Sequence, residues 1–393
     1  MAFSCLYKRM GTEESFICPR CGNQDPKYIG MRNGRPYCRK CISFIGTKAA
    51  SLPSTPKTVE LKLHYDLSGE QKQLSRHIVS NYLRGVDTLV YAVCGAGKTE
   101  LSYGVIEQAL RQGHQVGFAL PRRDVVIELY WRIKEAFPLN KVVAVYGEHT
   151  YALEGDIVIL TTHQLYRYPH YFDLLVMDEI DAFPFKGNDL LIAMYRASLR
   201  GHCVMMSATP SKEILREFHE PAHEVLELRT RFHKHPIPVP QIRLVPHLFQ
   251  PLAVVHKLKQ YRQQNKPCFV FSPTIAAAEE LHSCVSLLLR GGSYVHSKRE
   301  GREEIISAFK KGEYRYLITT SVLERGVTIA NLQVLVVGAD EKNIYSSSTL
   351  IQIAGRVGRK SDAPSGEVVF FAEKKTEEMQ NAIKEIAFCN TFL

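Results

Sequence analysis

Two short stretches hold residues whose types and spacing could do chemistry on a phosphate. In AVCGAGKTE, residues 92–100, an apolar run ends in a glycine-rich turn, then lysine and threonine. A turn of this kind after a buried strand aims backbone N–H groups inward, and the helix that follows presents its positive end. Gly95, Ala96 and Gly97 would let the backbone close on phosphates. Lys98 would reach the β- and γ-phosphates, and Thr99 would hold Mg²⁺. The usual pattern opens with glycine where Ala92 stands; small size is what that position needs. Farther on, FDLLVMDEIDAF delivers Asp178 and Glu179 at the end of an apolar run. Asp178 would hold Mg²⁺, directly or through water, and Glu179 would polarise an attacking water. The pair of motifs reads as a nucleoside triphosphate hydrolase.

A third stretch would bind metal. Cys18-Pro-Arg-Cys21 and Cys38-Arg-Lys-Cys41 each place two thiolates around one tight turn, and the two turns together supply a tetrahedral sulfur cage for Zn²⁺. Four thiolates leave no open coordination position, so the zinc is expected to be structural. It would supply most of the folding energy of so small a module. Arg20, Lys27, Arg32, Arg35, Arg39 and Lys40 stud this segment, either as nucleic-acid contacts or as a solvated surface.

The elements that must position these residues follow from the apolar pattern. TLVYAV, QVGFAL, VVAVYG, DIVIL, LLVMDE and CVMMSAT alternate with helical stretches, as do CFVFSP, SYVHS, YLITTS, VLVVGA and EVVFFA farther on. Runs apolar throughout predict strands buried on both faces, hence parallel sheets with helices on either side. The Ser-, Thr- and Pro-rich GTKAASLPSTPKTVE predicts a linker, and RTRFHKHPIPVPQIR predicts an interdomain hinge. The predicted organisation is α/β: a zinc-binding module over residues 1–45, a linker over 46–60, and two sheet domains over 61–228 and 229–393.

The formal charge of +10 favours a polyanionic partner. No apolar run approaches the roughly 20 residues that span a bilayer, and MAFSCLYKRM lacks the apolar core of a secretion signal. Ten cysteines in such a chain point to metal ligation in a reducing, cytoplasmic compartment rather than to disulfides.

The ordered set of motifs resembles the superfamily 2 helicases and translocases. AVCGAGKT resembles motif I, ALPRRDVVIEL motif Ia, TTHQL motif Ib, MDEID motif II and SATP motif III. CFVFSPT resembles motif IV, TTSVLERGVT motif V and QIAGRVGR motif VI. The resemblance implies two tandem RecA-like domains driven by ATP and Mg²⁺. QIAGRVGR is expected to set Arg356 and Arg359 one helical turn apart, as arginine fingers, with Gln352 on the same face to position water. ATP would close the two domains and hydrolysis release them. In LSGEQKQLS, Gln71 would read adenine, with Gln73 the other candidate. Ser207 and Thr209 would couple nucleotide state to movement, partnered by Asp181. Pro121, Arg122, Arg123, Thr162, Ser272, Thr274 and Thr320 would track the strand by its phosphates.

Within that superfamily the N-terminal cysteine module, VCGAGKTE and TTSVLERGVTIAN resemble the ComFA family of bacterial natural transformation. That resemblance implies a cytoplasmic single-stranded DNA translocase, peripheral at most to the membrane, with ComFC and DprA as partners. Other readings keep the motor and change its task. PriA-like replication-restart helicases share the GAGKTE style but carry their cysteines within the second motor half; an RNA helicase is the third reading. A zinc-ribbon DNA-binding adaptor on an inactive motor scaffold is the non-enzyme reading, and it has no use for Lys98, Asp178, Glu179, Arg356 and Arg359 together.

Overall fold

The computed structural model describes residues 16–393 apart from 94, 182–184, 186, 219, 232, 321–328 and 361. Cys5, Cys94 and the part of the motif V stretch from 321 to 328 therefore lie outside the described residues. Among the described residues fifteen strands are defined: β1 (Ile29–Arg32), β2 (Arg35–Cys38), β3 (Asp87–Ala92), β4 (Val116–Leu120), β5 (Val142–Val145), β6 (Ile157–Thr161), β7 (Phe172–Asp178) and β8 (Leu199–Ser207). They continue with β9 (His223–Leu228), β10 (Gln241–Leu244), β11 (Cys268–Phe271), β12 (Gly292–Val295), β13 (Tyr316–Thr319), β14 (Gln333–Val336) and β15 (Val368–Ala372). The chain divides into two compact units, one of residues 1–64, 82–87 and 105–205, the other of residues 65–81, 88–104 and 206–393.

In the first unit β1 and β2 form an antiparallel hairpin. Its larger strands run in the order β5–β6–β4–β7–β8, and β4, β5, β6 and β7 pair in parallel. Every residue of β4 and β6 is buried, as expected of strands covered on both faces. Each fully buried Val, Leu, Ile or Phe in such a strand contributes about 1.5–3 kcal/mol. Gly117 of β4 is required by this packing, because a Cβ there would come within 2.8 Å of Leu175 and Phe172.

In the second unit β3 and β9 are neighbours, and a six-stranded sheet runs β10–β15–β14–β11–β13–β12 with its strands parallel. Val254, Leu258, Val270, Ile318, Leu335 and Val369 belong to one of its buried clusters. The strands expected from apolar runs are all present. β1, β2, β9 and β10 are not among them. β10 is a short edge strand reading Gln-Ile-Arg-Leu, partly or fully exposed along its length, so it lacks the continuous apolar signal of a buried strand. The segment read as a hinge is tied down within this unit: Ile237 N–H donates to Asn390 Oδ1 at 2.8 Å, and Asn390 Nδ2 donates to the Ile237 carbonyl at 2.9 Å.

Candidate nucleotide, metal and nucleic-acid sites

The four cysteines converge. The Sγ atoms of Cys18, Cys21, Cys38 and Cys41 all lie within 4.8 Å of one another, with Cys18–Cys41 at 3.6 Å and Cys21–Cys38 at 3.7 Å. A tetrahedron of thiolates at about 2.3 Å from zinc sets sulfurs about 3.8 Å apart, so the donor set fits the metal. Burial pushes the Cys21 thiol up to about 11 and raises Cys41 as well, whereas at Cys18 burial is outweighed by hydrogen bonds and the thiol is lowered.

The strap leaving this module is seated on the 3₁₀ helix Thr162–Arg167. The Phe44 ring lies parallel to the His163 imidazole, centroids 6.2 Å apart, and edge-on to Tyr166 at 5.6 Å. Arg167 Nη1 donates to the Thr47 carbonyl at 2.7 Å, Ala49 N–H donates to the Arg167 carbonyl at 2.9 Å, and Tyr166 Oη donates to the Ile45 carbonyl at 3.2 Å. The cysteine module is therefore joined to the motif Ib element by packing as well as by chain connectivity. Its spacing carried no sign of that seat.

The phosphate loop follows β3 and opens the helix Lys98–Leu101. Gly95 and Gly97 have φ of 86° and 76°, values that favour glycine. Lys98 Nζ donates to the Ala92 carbonyl at 3.3 Å, and Val93 N–H fastens the loop to the end of β9 through the Leu228 carbonyl at 3.1 Å. Gln71 lies against the loop. Its Nε2 donates to the Ala96 carbonyl at 2.8 Å, its Oε1 accepts from Ser68 N–H, and Gln71 N–H donates to Ser68 Oγ. Ser68 and Gln71 are thus a capping box for the helix Gly69–Arg84, and the same glutamine amide grips the phosphate loop.

Asp178 ends β7, and its Oδ1 accepts from Glu179 N–H at 2.7 Å. Glu179 has a φ of 59°, a sparsely populated conformation for a residue with a side chain, of the kind found at functional sites. Ser207 ends β8 and its Oγ accepts from Thr209 N–H at 3.0 Å.

Motif VI departs from expectation. The helix Ser347–Ala354 stops before the arginines, so only Gln352 lies on it. Gly355 and Gly358, the latter with φ 67°, turn the chain out of the helix. Arg356 is buried at 1% exposure, and Arg359 Nε donates back to the Gly355 carbonyl at 3.1 Å. A residue that sequence reasoning missed organises this turn. Arg231, 2% exposed, donates from Nη1 to the Val357 and Gly358 carbonyls, both at 2.9 Å, and from Nη2 to the Gly355 carbonyl at 3.1 Å. Its side chain also lines the phosphate loop, where a Cβ on Gly95 would meet it at 3.7 Å. One buried guanidinium therefore lies against both motif I and motif VI.

The residues expected to track a strand are scattered in character. Pro121 is buried, Arg122 is ion-paired to Asp124 at 3.1 Å, and Arg123 is exposed with its guanidinium over the Tyr146 ring. Thr162 and Ser272 are buried, and neither hydroxyl has a hydrogen-bond partner among the described residues. Thr274 Oγ1 caps the helix Ile275–Leu288 by accepting from Ala277 N–H, and Thr320 is buried beside the end of β13.

Comparison with known proteins agrees with the motif order. Residues 71–218 match the DEAD/DEAH box helicase family and residues 250–361 the helicase conserved C-terminal domain. The chain is similar to competence protein ComFA of Bacillus subtilis (strain 168), 33% identical over 95% of this chain and 86% of that one. It is 32% identical to competence protein ComFA of Streptococcus pneumoniae (strain ATCC BAA-255 / R6), over 95% of this chain and 90% of that one. S. cerevisiae Dbp5 bound to RNA and ADP BeF3 shares the fold, with TM-score 0.62 and 15% identity over 83% of this chain and 92% of that one. The two parallel-sheet bodies are RecA-like helicase domains.

Proposed function

Because the chain belongs to the ComFA family, a helicase-superfamily ATPase of competence, we propose that it is a single-stranded DNA translocase that draws DNA into the cytosol during natural transformation. The observation that carries this reading is the likeness to the ComFA proteins over 95% of this chain, combined with a phosphate loop whose glycines hold the required positive φ.

In this reading Lys98 holds the β- and γ-phosphates, Thr99 and Asp178 hold Mg²⁺, and Glu179 polarises the attacking water. Gln71, Gly95, Ala96 and Gly97 shape the nucleotide pocket. Gln352, Arg356 and Arg359 sense the γ-phosphate, and Asp181, Ser207 and Thr209 relay its loss. Pro121, Arg122, Arg123, Thr162, Ser272, Thr274 and Thr320 would line the path of the strand's phosphates. Cys18, Cys21, Cys38 and Cys41 hold a structural Zn²⁺. The module spans residues 1–45 and the linker 46–60, and the motor domains divide near residue 228.

Among the described residues no helix is long and apolar enough to cross a membrane. The protein works at the cytosolic face through partners, ComFC and DprA among them. Steady-state ATPase of the purified chain with no nucleic acid, single-stranded DNA, duplex DNA and RNA tests the reading, with Glu179→Gln as control. Single-stranded DNA should stimulate most strongly. Preferential stimulation by RNA would move the assignment to an RNA helicase.

A further inference from the structure

Phosphate contacts alone leave a question open: they hold a polyanion without preferring unpaired DNA to duplex. A second feature of the first unit bears on that preference. After β5 the chain turns tightly at Tyr146-Gly147-Glu148-His149. Tyr146 N–H donates to the His149 carbonyl at 3.2 Å, and His149 N–H donates to the Tyr146 carbonyl at 2.8 Å. Gly147 takes a φ of 49° at the bend. Gln164, from the motif Ib element, donates to the Gly147 carbonyl at 3.3 Å and pins the turn from outside.

On this turn the aromatic rings form an array. Tyr146 stacks on His149 with centroids 4.8 Å apart and planes within 11°. Tyr151 stands edge-on to His149 at 5.5 Å, and the Arg123 guanidinium covers the Tyr146 ring at 5.2 Å. Tyr151 is 90% exposed, and His149 is exposed as well. A lone exposed aromatic is ordinary. Here two backbone bonds and a side-chain bond fix the turn, ring stacks on ring, and a cation from the motif Ia element sits over one end.

We propose that Tyr146, His149 and Tyr151 are a base-stacking platform for single-stranded DNA, set beside the phosphate contacts of motifs Ia and Ib. Every base has a π-face, so such a platform tolerates sequence. A paired base inside a duplex has both faces occupied by its neighbours, so the platform favours unpaired strands. Arg123 fits this role twice over, as a cation over a ring and as a charge available to the adjoining phosphate. The proposal rests on the single-stranded DNA reading above and adds to it a contact with bases.

The test is binding of the full chain to an oligothymidylate, to the same strand with abasic sites, and to duplex, across a salt series. Tyr151→Ala and Tyr146→Leu should each weaken oligothymidylate binding by roughly 5- to 100-fold. The slope of log affinity against log salt should stay unchanged, because no phosphate contact is lost. On the abasic strand, wild type and variants should bind alike, and Tyr151→Phe should bind oligothymidylate as wild type does. DNA-free ATPase and melting temperature should match wild type. Oligothymidylate binding unaltered in Tyr151→Ala and Tyr146→Leu, or a loss equally large on the abasic strand, would overturn the platform while leaving the motor intact. A wild-type chain that binds no single-stranded DNA would overturn the motor reading, and the platform with it.

Discussion

The side-chain amide of Gln71 donates to the carbonyl of Ala96 at 2.8 Å while its oxygen accepts from Ser68 N–H at 2.9 Å. One buried side chain, 3% exposed, therefore supports both a helix start and the phosphate loop. Gln71→Ala leaves the buried Ala96 carbonyl without this partner, at a cost of about 1–3 kcal/mol, and frees the half-buried Ser68 N–H as well. A lower melting temperature and a higher KM for ATP should follow. Gln71→Glu separates the two roles, since a carboxylate still accepts from Ser68 but cannot donate to Ala96. It should recover part of the melting temperature and none of the KM.

Arg231 links motif VI to the phosphate loop, and its removal should act on turnover. In Arg231→Met three carbonyls lose a charged donor, and hydrogen bonds to charged groups are worth about 1.5–3 kcal/mol each. We expect kcat to fall about tenfold or more, with ATP affinity within about twofold. If Arg231 acts by holding the motif VI turn, its loss and that of Arg356 share one effect. Arg231→Met/Arg356→Ala should then be no slower than Arg356→Ala alone. Fully additive losses would show that Arg231 acts elsewhere.

Burial lowers the pKa of His163, which faces Phe44 across the seat of the cysteine module. A histidine whose folded pKa is depressed stabilises the folded form fully above its ordinary value of 6.5. That contribution is lost as pH falls below 6.5 toward the folded pKa, because the unfolded ring then binds a proton that the buried ring resists. Melting temperature followed downward from pH 7 should drop more steeply in wild type than in His163→Phe, which keeps a ring and removes the titration.

Metal content is the check on the sulfur cage. One Zn²⁺ per chain is expected, with the four cysteines shielded from thiol reagents until a chelator removes it. Chelation should unfold the β1–β2 hairpin while the sheet domains retain their melting transition. Four thiols that react at full rate in the purified protein would contradict the assignment.

These cases show which features local sequence carried. Buried parallel strands were legible because residues such as Val116–Leu120 and Ile157–Thr161 are apolar on both faces. The cysteine cage was legible because each ligand pair sits on one turn. The polar edge strand Gln241–Leu244 was not, since its place depends on pairing with β15. The spacing of Gln352, Arg356 and Arg359 suits one continuous helix, but the helix ends at Ala354 and Gly355 and Gly358 turn the chain out of it. Arg231 and the Phe44–His163 contact join residues more than a hundred positions apart, so no local pattern could reveal them. The Tyr146–His149 stack is local, but only the turn geometry distinguishes it from the many tyrosines of the core.

The central claim is that this chain moves along single-stranded DNA at the expense of ATP. The most direct measurement is displacement of streptavidin from a strand biotinylated at one end, with ATP, with a non-hydrolysable analogue and with Glu179→Gln. Faster displacement from one of the two ends, seen only with wild type and ATP, is the predicted result. ATP hydrolysis stimulated by the strand without displacement from either end would contradict it.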